Sequence, residues 1–268
     1  MSEAQRPVAV VRVRGAARTT DTDRAAAEEP LEIRLHDRPF AVMMRTPGSD
    51  RELAAGFLIA ERVIRGADDL GTIAHCADGE NIVNVTLANG SRESIERLLA
   101  QRRQVTTTSS CGLCGRQTIE SLALDAAPIR ASWTVTAAAI AALPETLRAR
   151  QAVFDDTGGL HAAGLFTRDG VAVAVAEDVG RHNAVDKIVG RMLMNEALPL
   201  ADHLLCVSGR TSYEIVQKAV IAGIPLVAAV SAPSSLAIEL AEALGVTLIG
   251  FVRGDGFNVY AHPERIDP

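Results

Sequence analysis

Apolar and polar residues alternate from Val8 to Val13, the two-residue period of a strand. Leu31 to Leu35 and Pro39 to Arg45 repeat that period around the short polar turn His36-Asp37-Arg38, which reads as a hairpin. Gly15 to Pro30 mixes Ala, Thr, Asp and Glu with no usable period and reads as a loop. The period then lengthens. Asp50 stands as a helix N-cap, and Leu53, Gly56, Phe57, Ala60 and Ile64 recur at helical spacing, giving an amphipathic helix that ends near Gly66 and covers one face of the sheet. Thr72 to His75 and Ile82 to Leu87 are short strands, followed by the turn signal Asn89-Gly90, a helix from Ser91 to about Arg102, and a short helix after Arg116 through Leu124.

Ala126-Ala127-Pro128 and the polar Ser132 mark a domain boundary near residue 130. Beyond it, apolar runs alternate with amphipathic helices, as in a layered α/β domain. Helices are expected over Thr136–Arg150, Ala184–Glu196, Ser212–Ala222 and Ser234–Leu244. Strands are expected over Val171–Ala176 (buried), Leu204–Val207, Leu226–Val230 and Val246–Val252, and a Gly-rich segment from Thr157 to Gly164 enters Leu165-Phe166. The expected class is α/β in two domains: residues 1–130 a smaller α+β unit, residues 131–268 a three-layer unit.

Composition narrows the partners. Aromatic residues are only 3% of the chain, so its core is built from small aliphatics. A formal net charge of −6 argues against a general nucleic-acid surface while leaving room for a local basic pocket. The most apolar run, Ala219 to Val230, is too short to span a bilayer and is broken by Gly223 and Pro225, and Arg12 and Arg14 interrupt the apolar residues near the N-terminus; neither a membrane segment nor a secretory leader is expected. Four cysteines in 268 residues do not make a disulfide scaffold, which fits a reducing cytoplasm.

The chemistry concentrates in Thr106 to Arg116, reading TTTSSCGLCGR, where Cys111 and Cys114 form a CxxC pair. Such a pair can share a metal, close a disulfide or pass a sulfur atom, each through a thiolate. Zinc would need two further ligands, and the neighbouring candidates His75 and Cys76 are adjacent in sequence, a poor tetrahedral pair; no metal site is expected. The Thr and Ser run before Cys111 differs from a thioredoxin-like setting and suits a carrier arm. Cys206, inside an apolar strand, reads as a buried small hydrophobe. Three strand ends combine Gly with Arg, which presents backbone N–H groups and a guanidinium to anions: Asp178 to Asn183 (with Arg181 and His182), Ser208-Gly209-Arg210-Thr211-Ser212, and Phe251-Val252-Arg253-Gly254-Asp255-Gly256. Together they indicate a nucleotide-like anionic ligand. His161 lacks the glutamate of a zinc deaminase motif, so deamination is not expected.

Four long motifs resemble the formate dehydrogenase accessory sulfurtransferase (FdhD) family: SSCGLCG at Ser109–Gly115, EDVGRHNAVDK at Glu177–Lys187, SGRTSYEIVQKA at Ser208–Ala219 and GFVRGDGFNVYAHPERI at Gly250–Ile266. The resemblance implies a dimeric cytoplasmic sulfurtransferase that takes persulfide sulfur from a cysteine desulfurase. It implies delivery of that sulfur to the molybdenum cofactor, in its bis-molybdopterin guanine dinucleotide form, for formate dehydrogenase. It also implies a C-terminal domain similar to the cytidine deaminase fold, Cys111 as persulfide bearer with Cys114 its partner, and cofactor binding at Phe251–Gly256. Because no second basic residue follows Arg253, Arg210 or Arg181 is expected to supply phosphate charge. The competing reading is a non-catalytic cofactor chaperone whose CxxC is redox-active or zinc-binding.

Overall fold

The computed structural model describes residues 4–76, 79–88, 96 and 126–267. The Asn89-Gly90 turn, the helices read over 91–102 and after Arg116, and the CxxC pair itself lie outside the described residues.

The chain opens with β1 (Gln5–Arg14) and β2 (Ala17–Ala26), an antiparallel ribbon turning at Gly15, where φ is +59. The loop expected over Gly15–Pro30 is therefore mostly strand. Both faces of the ribbon meet solvent, so no apolar alternation marks it, and its β-branched threonines satisfy the pleat instead. A four-stranded sheet follows, in the order β4-β3-β6-β5, made of β3 (Glu29–Leu35), β4 (Arg38–Arg45), β5 (Leu70–His75) and β6 (Ile82–Leu87). His36 and Asp37 form the two-residue hairpin turn between β3 and β4, both at positive φ. Leu31, Ile33 and Leu35 turn alternate positions inward, as the sequence alternation predicts.

Helix α1 (Asp50–Ala60) corrects the expected N-cap by one residue. Ser49 caps in the left-handed conformation (φ 55), and Asp50 instead accepts two hydrogen bonds, at 2.9 and 2.8 Å, from the fully buried Arg45 guanidinium. The helix also stops at Ala60 rather than near Gly66. From Leu53 to Ala60 every residue is buried, because α1 lies between the four-stranded sheet and a helix of the second half rather than covering one face alone.

That second half contains β7 (Val135–Thr136), α2 (Ala137–Arg148), α3 (Ala152–Thr157), β8 (His161–Thr167), β9 (Ala172–Asp178), α4 (Arg181–Met194), β10 (His203–Val207), α5 (Tyr213–Ala222), β11 (Leu226–Ala229), α6 (Ser235–Leu244), β12 (Thr247–Arg253), β13 (Gly256–Ala261) and β14 (Ile266–Asp267). Its main sheet runs β13-β12-β11-β10-β8-β9. β10, β11 and β12 are parallel, and β11 and all of β10 after His203 are apolar and buried, as expected for strands covered on both faces. Two strand assignments change. His161–Gly164, the end of the Gly-rich segment, is already part of β8, and β9 is an edge strand with Val173 exposed rather than a buried one. β13 was not anticipated; Gly256 and Asn258 are exposed between the partly buried Phe257 and Val259, an alternation too short to stand out from the turn before it.

Helix α2 packs on one face of this sheet through Ile140, Leu143 and Leu147, while α4, α5 and α6 cover the other. The second face shares one buried cluster with the four-stranded sheet: Leu31, Ile33, Leu53 and Leu58 lie in it together with Val185, Ile188 and Val216. The architecture is mixed α/β with several sheets. Two glycines set the closest approach between the halves, at the crossing of α1 and α4. A Cβ on Gly56 would stand 2.0 Å from the Asp186 carbonyl oxygen, and one on Gly190 would stand 1.8 Å from that of Glu52. Only the absence of side chains there lets the two backbones touch.

Candidate functional site

β9, β10 and β12 end on the same side of the main sheet, and β8, running the other way, begins there. The sheet's connectivity thus brings the three predicted strand ends to one edge, with His161 among them.

The first end is fastened to the N-terminal half. Asp178 is fully buried. One of its oxygens accepts from the backbone N–H of Gly180 (2.7 Å) and from the Asn183 amide (2.9 Å); the other accepts from the Thr46 N–H (3.2 Å) and meets the Lys187 ammonium at 2.7 Å. Lys187 also donates to the Thr46 carbonyl (2.9 Å), Val179 N–H donates to the Thr46 hydroxyl (3.1 Å), and Asn183 donates to the Met44 carbonyl (2.9 Å). Both oxygens of Asp178 and the amide of Asn183 are therefore spent inside the protein, where they hold the loop in front of α4 in place.

Beyond this anchor the polar groups turn toward one another across two strand ends. Ser208 Oγ accepts from Ala162 N–H at 2.9 Å, which pins the β10 end beside His161. Gly209 leaves the room this needs: a Cβ there would lie 3.2 Å from His161 Nδ1 and 3.8 Å from Arg181 Cδ. Burial holds the His161 imidazolium pKa below its usual value, and the positive charges of Arg181, His182 and Arg210 push it the same way, with Asp178 opposing. Three cationic or potentially cationic side chains thus face a neutral imidazole, an arrangement that favours an anion in front of them.

His182 Nε2 lies 3.0 Å from Ser212 Oγ, in hydrogen-bonding geometry, and 2.8 Å from Glu214 Oε2. A single ring nitrogen cannot aim one proton along both directions, so the carboxylate is a charge neighbour of the ring and its oxygens have no hydrogen-bond donor among the described residues. Thr211 Oγ1 and Arg181 Nε are likewise buried without a partner among the described residues. Arg210 itself is exposed.

The third strand end stands two strands away along the same edge. Phe251 N–H donates to the Ser231 carbonyl at 3.2 Å, and the register of β12 against β13 slips between Gly250 and Arg253. The slip places Phe251 at φ 56, a conformation costly for an aromatic residue, with 38% of it exposed. Val252 points into the core behind α2, and Arg253, Gly254, Asp255 and Gly256 form an exposed turn.

A cavity of about 660 Å³ opens beside His161 and Ser208, between α2 and α3, with Leu147, Arg148, Phe154 and Val230 in its wall. The Arg148 guanidinium sits 4.7 Å from the centre of the Phe154 ring. Sequence reasoning missed this wall, since Arg148 and Phe154 belong to two helices whose spacing shows no motif. It also missed Thr46, Lys187 and Glu214; the last two lie inside conspicuous motifs, whereas Thr46 carries no local signal. Among the described residues, no three His, Cys, Asp or Glu side chains converge as a metal site, and no helix is long and apolar enough to cross a membrane.

Known proteins match this arrangement along nearly its whole length. A solved structure of a formate dehydrogenase accessory protein from Desulfotalea psychrophila superposes with a TM-score of 0.77 at 28% identity, covering 99% of this chain and 100% of its own. The sulfur carrier protein FdhD of Streptomyces avermitilis is 52% identical over 269 residues, spanning 96% of this chain and 94% of the relative. The protein of the same name from Sulfolobus acidocaldarius is 46% identical over 262 residues, 98% of each chain. The FdhD/NarQ family model matches residues 26–267, and the chain belongs to that family.

Proposed function

We propose that this chain is a sulfur carrier serving formate dehydrogenase: it accepts persulfide sulfur from a cysteine desulfurase and delivers it to the molybdenum cofactor. The observation that carries the reading is the near-full-length identity, about half of all positions, to proteins called sulfur carrier protein FdhD. In the first step the Cys111 thiolate attacks the outer sulfur of the donor's persulfide; the S–S bond of the donor breaks and its cysteine leaves as thiolate. In the second, Cys114 attacks the inner sulfur of the Cys111 persulfide, closing a Cys111–Cys114 disulfide and releasing the outer sulfur as hydrosulfide for the cofactor, and a cellular dithiol reduces the disulfide to reset the pair.

The cargo is the bis-molybdopterin guanine dinucleotide form, whose phosphates and flat heterocycles suit the groups at the sheet edge. Arg181, Arg210 and Arg253 supply positive charge, Ser208, Gly209, Ser212 and His182 line the approach, and the strained, exposed Phe251 offers a stacking face beside the Gly254-Asp255-Gly256 turn. Asp178 and Asn183 serve the same site by fixing its loop, and Val252 by anchoring β12. Helices on both faces of the main sheet support a likeness of the second half to the cytidine deaminase fold. The protein works in the reducing cytoplasm as a homodimer.

Incubation with a cysteine desulfurase and cysteine is expected to add one sulfur atom, read by intact mass and mapped to Cys111. A mass gain that survives in the Cys111→Ala/Cys114→Ala variant would sink the reading. Restoration of formate dehydrogenase activity in cells by Cys111→Ala would instead favour a cofactor chaperone that carries no sulfur.

A further inference from the structure

Among the described helices of the second half, three N-caps carry a hydroxyl, and two of them use it. Thr136 Oγ1 accepts from Ala139 N–H at 3.2 Å at the start of α2, and Ser234 Oγ accepts from Ala237 N–H at 3.3 Å at the start of α6. Ser212, at the start of α5, caps nothing with its side chain. Its hydroxyl is turned to His182 Nε2 instead, and this is its only side-chain hydrogen bond among the described residues. Diverting a cap residue forgoes a stabilising hydrogen bond at the helix end. A second cost falls at the same place. Glu214, the second residue of α5, is buried with no hydrogen-bond donor at either carboxylate oxygen among the described residues, and its Oε2 stands 2.8 Å from the same ring nitrogen. A buried carboxylate short of donors also costs stability. Two such costs meeting at one imidazole mark a place where stability gives way to function.

The geometry fixes where the protons go. A carboxylate only accepts, so the ring nitrogen 2.8 Å from Glu214 must bear a hydrogen; a bare Nε2 would set two lone pairs against each other. That Nε2–H meets the Ser212 oxygen at 3.0 Å and donates to it. Ser212 is then an acceptor toward the ring, and its own O–H proton has no acceptor among the described residues. We propose that Glu214 is a positioning residue of the anion site: it holds His182 with its hydrogen on Nε2, so that the Ser212 hydroxyl proton is left to donate to a phosphate oxygen of the ligand. The contact between α4 and α5 keeps the pair in place. One helical turn deeper, Asp186 of α4 meets Lys218 of α5 at 2.6 Å, both buried, so the ring cannot draw away from the carboxylate. Without Glu214 the ring is free to take the Nδ1–H tautomer, in which Nε2 accepts and the Ser212 proton is spent on it. This role rests on the reading of the sheet edge as a phosphate site and adds to it a residue that touches the ligand only through His182 and Ser212.

The full chain is titrated with inorganic pyrophosphate by calorimetry, and the His182 ring is read by nitrogen NMR, whose ring correlations report which nitrogen carries the hydrogen. The wild-type chain is expected to bind pyrophosphate with the hydrogen on Nε2. Glu214→Gln and Ser212→Ala should each weaken binding about tenfold or more, the effect of losing one hydroxyl donor to a charged acceptor. The double variant should bind within about twofold of Ser212→Ala alone, because both changes remove the same hydrogen bond. Glu214→Gln should also move the ring hydrogen to Nδ1. Far-ultraviolet circular dichroism checks the fold of each variant, and the ring state of the wild-type chain tests the role even where a variant does not fold. A wild-type chain that binds no pyrophosphate overturns the phosphate-site reading and this role with it. A wild-type ring bare at Nε2, losses that add in the double variant, or a Glu214→Gln chain that binds like the wild type overturns the role of Glu214 and leaves the phosphate site standing. Sulfur uptake by intact mass, measured on the wild-type chain, reports the carrier reading separately.

Discussion

The crossing of α1 and α4 sets two rules against each other at Gly190. In the interior of a helix, Gly→Ala should stabilise by about 1 kcal/mol, from helix propensity and a less flexible unfolded chain. Here the added Cβ would lie 1.8 Å from the Glu52 carbonyl oxygen and 2.6 Å from the Gly56 nitrogen, both backbone atoms that no rotamer change can move. Relieving the overlap requires the helices to part by about 1.5 Å, and a gap of about 0.5–1 Å already forfeits a quarter to a half of each dispersion contact. At about 0.1–0.2 kcal/mol per atom pair, and some 40 pairs across Leu53, Phe57, Ile188 and their neighbours, the loss is about 3–4 kcal/mol. After the propensity gain the net cost of Gly190→Ala is about 2–3 kcal/mol, a fall in Tm of roughly 5–10 °C for a chain of this size. Urea titration and calorimetry measure it. Gly56→Ala should behave alike, with its Cβ 2.0 Å from the Asp186 oxygen, whereas Gly66→Ala, with no atom within 4 Å, should shift stability by less than about 0.5 kcal/mol. A Gly190→Ala chain as stable as the wild type, or more so, would refute the close crossing and leave propensity as the only term.

Lys187→Met should cost about 3–5 kcal/mol in urea titration, because it strands the buried Asp178 without its counter-ion; Asp178→Asn added to it should recover part of the loss, and a single-variant cost below about 1 kcal/mol would contradict the pairing. His161 has its pKa lowered by folding, so its contribution to stability is present above the ordinary imidazole pKa and is lost as pH falls through that value toward the folded one. The wild-type Tm should therefore drop more steeply between about pH 7 and pH 5 than that of His161→Gln, and parallel profiles would remove the burial argument. Burial pushes the Cys206 thiol up to about 12, so alkylation of the native protein followed by peptide mapping should leave Cys206 unmodified, and Cys206→Ala should take up sulfur like the wild type.

Much of the fold was legible where one face of an element is buried. Leu31, Ile33 and Leu35 announce β3, and the apolar runs Leu204–Val207 and Leu226–Ala229 announce the sheet centre. Legibility failed where burial does not alternate, since β1–β2 is wet on both faces and α1 is dry on both, and at β13, whose alternation is brief. In the site, strand-end reasoning found Arg181, His182, Ser208 and Ser212 because Gly and Arg at the end of an apolar run carry a local meaning. It could not separate ligand-facing from inward-facing members. Asp178 stands in the same short motif as Arg181, and only the position of Thr46, 132 residues earlier, turns its carboxylate inward. Long-range partners of that kind have no counterpart in any sequence window.

That inward turn bears on how the site keeps its shape. A hinge opening between the two halves would have to break the buried Lys187–Asp178 pair, the three hydrogen bonds at Thr46 and the backbone contact at Gly56 and Gly190, together with a shared apolar cluster. Each of these is worth on the order of 1 kcal/mol or more, and they are lost together, so the sum rivals the stability of an ordinary domain. The strand-end groups are thus held by a frame that resists opening. Arg181 and His182, in the first turn of α4, are fixed from behind by Thr46 and Lys187, while Gly209 brings the β10 end within reach in front. An anion meeting them finds its charges already placed, and little of its binding energy is spent on ordering the pocket.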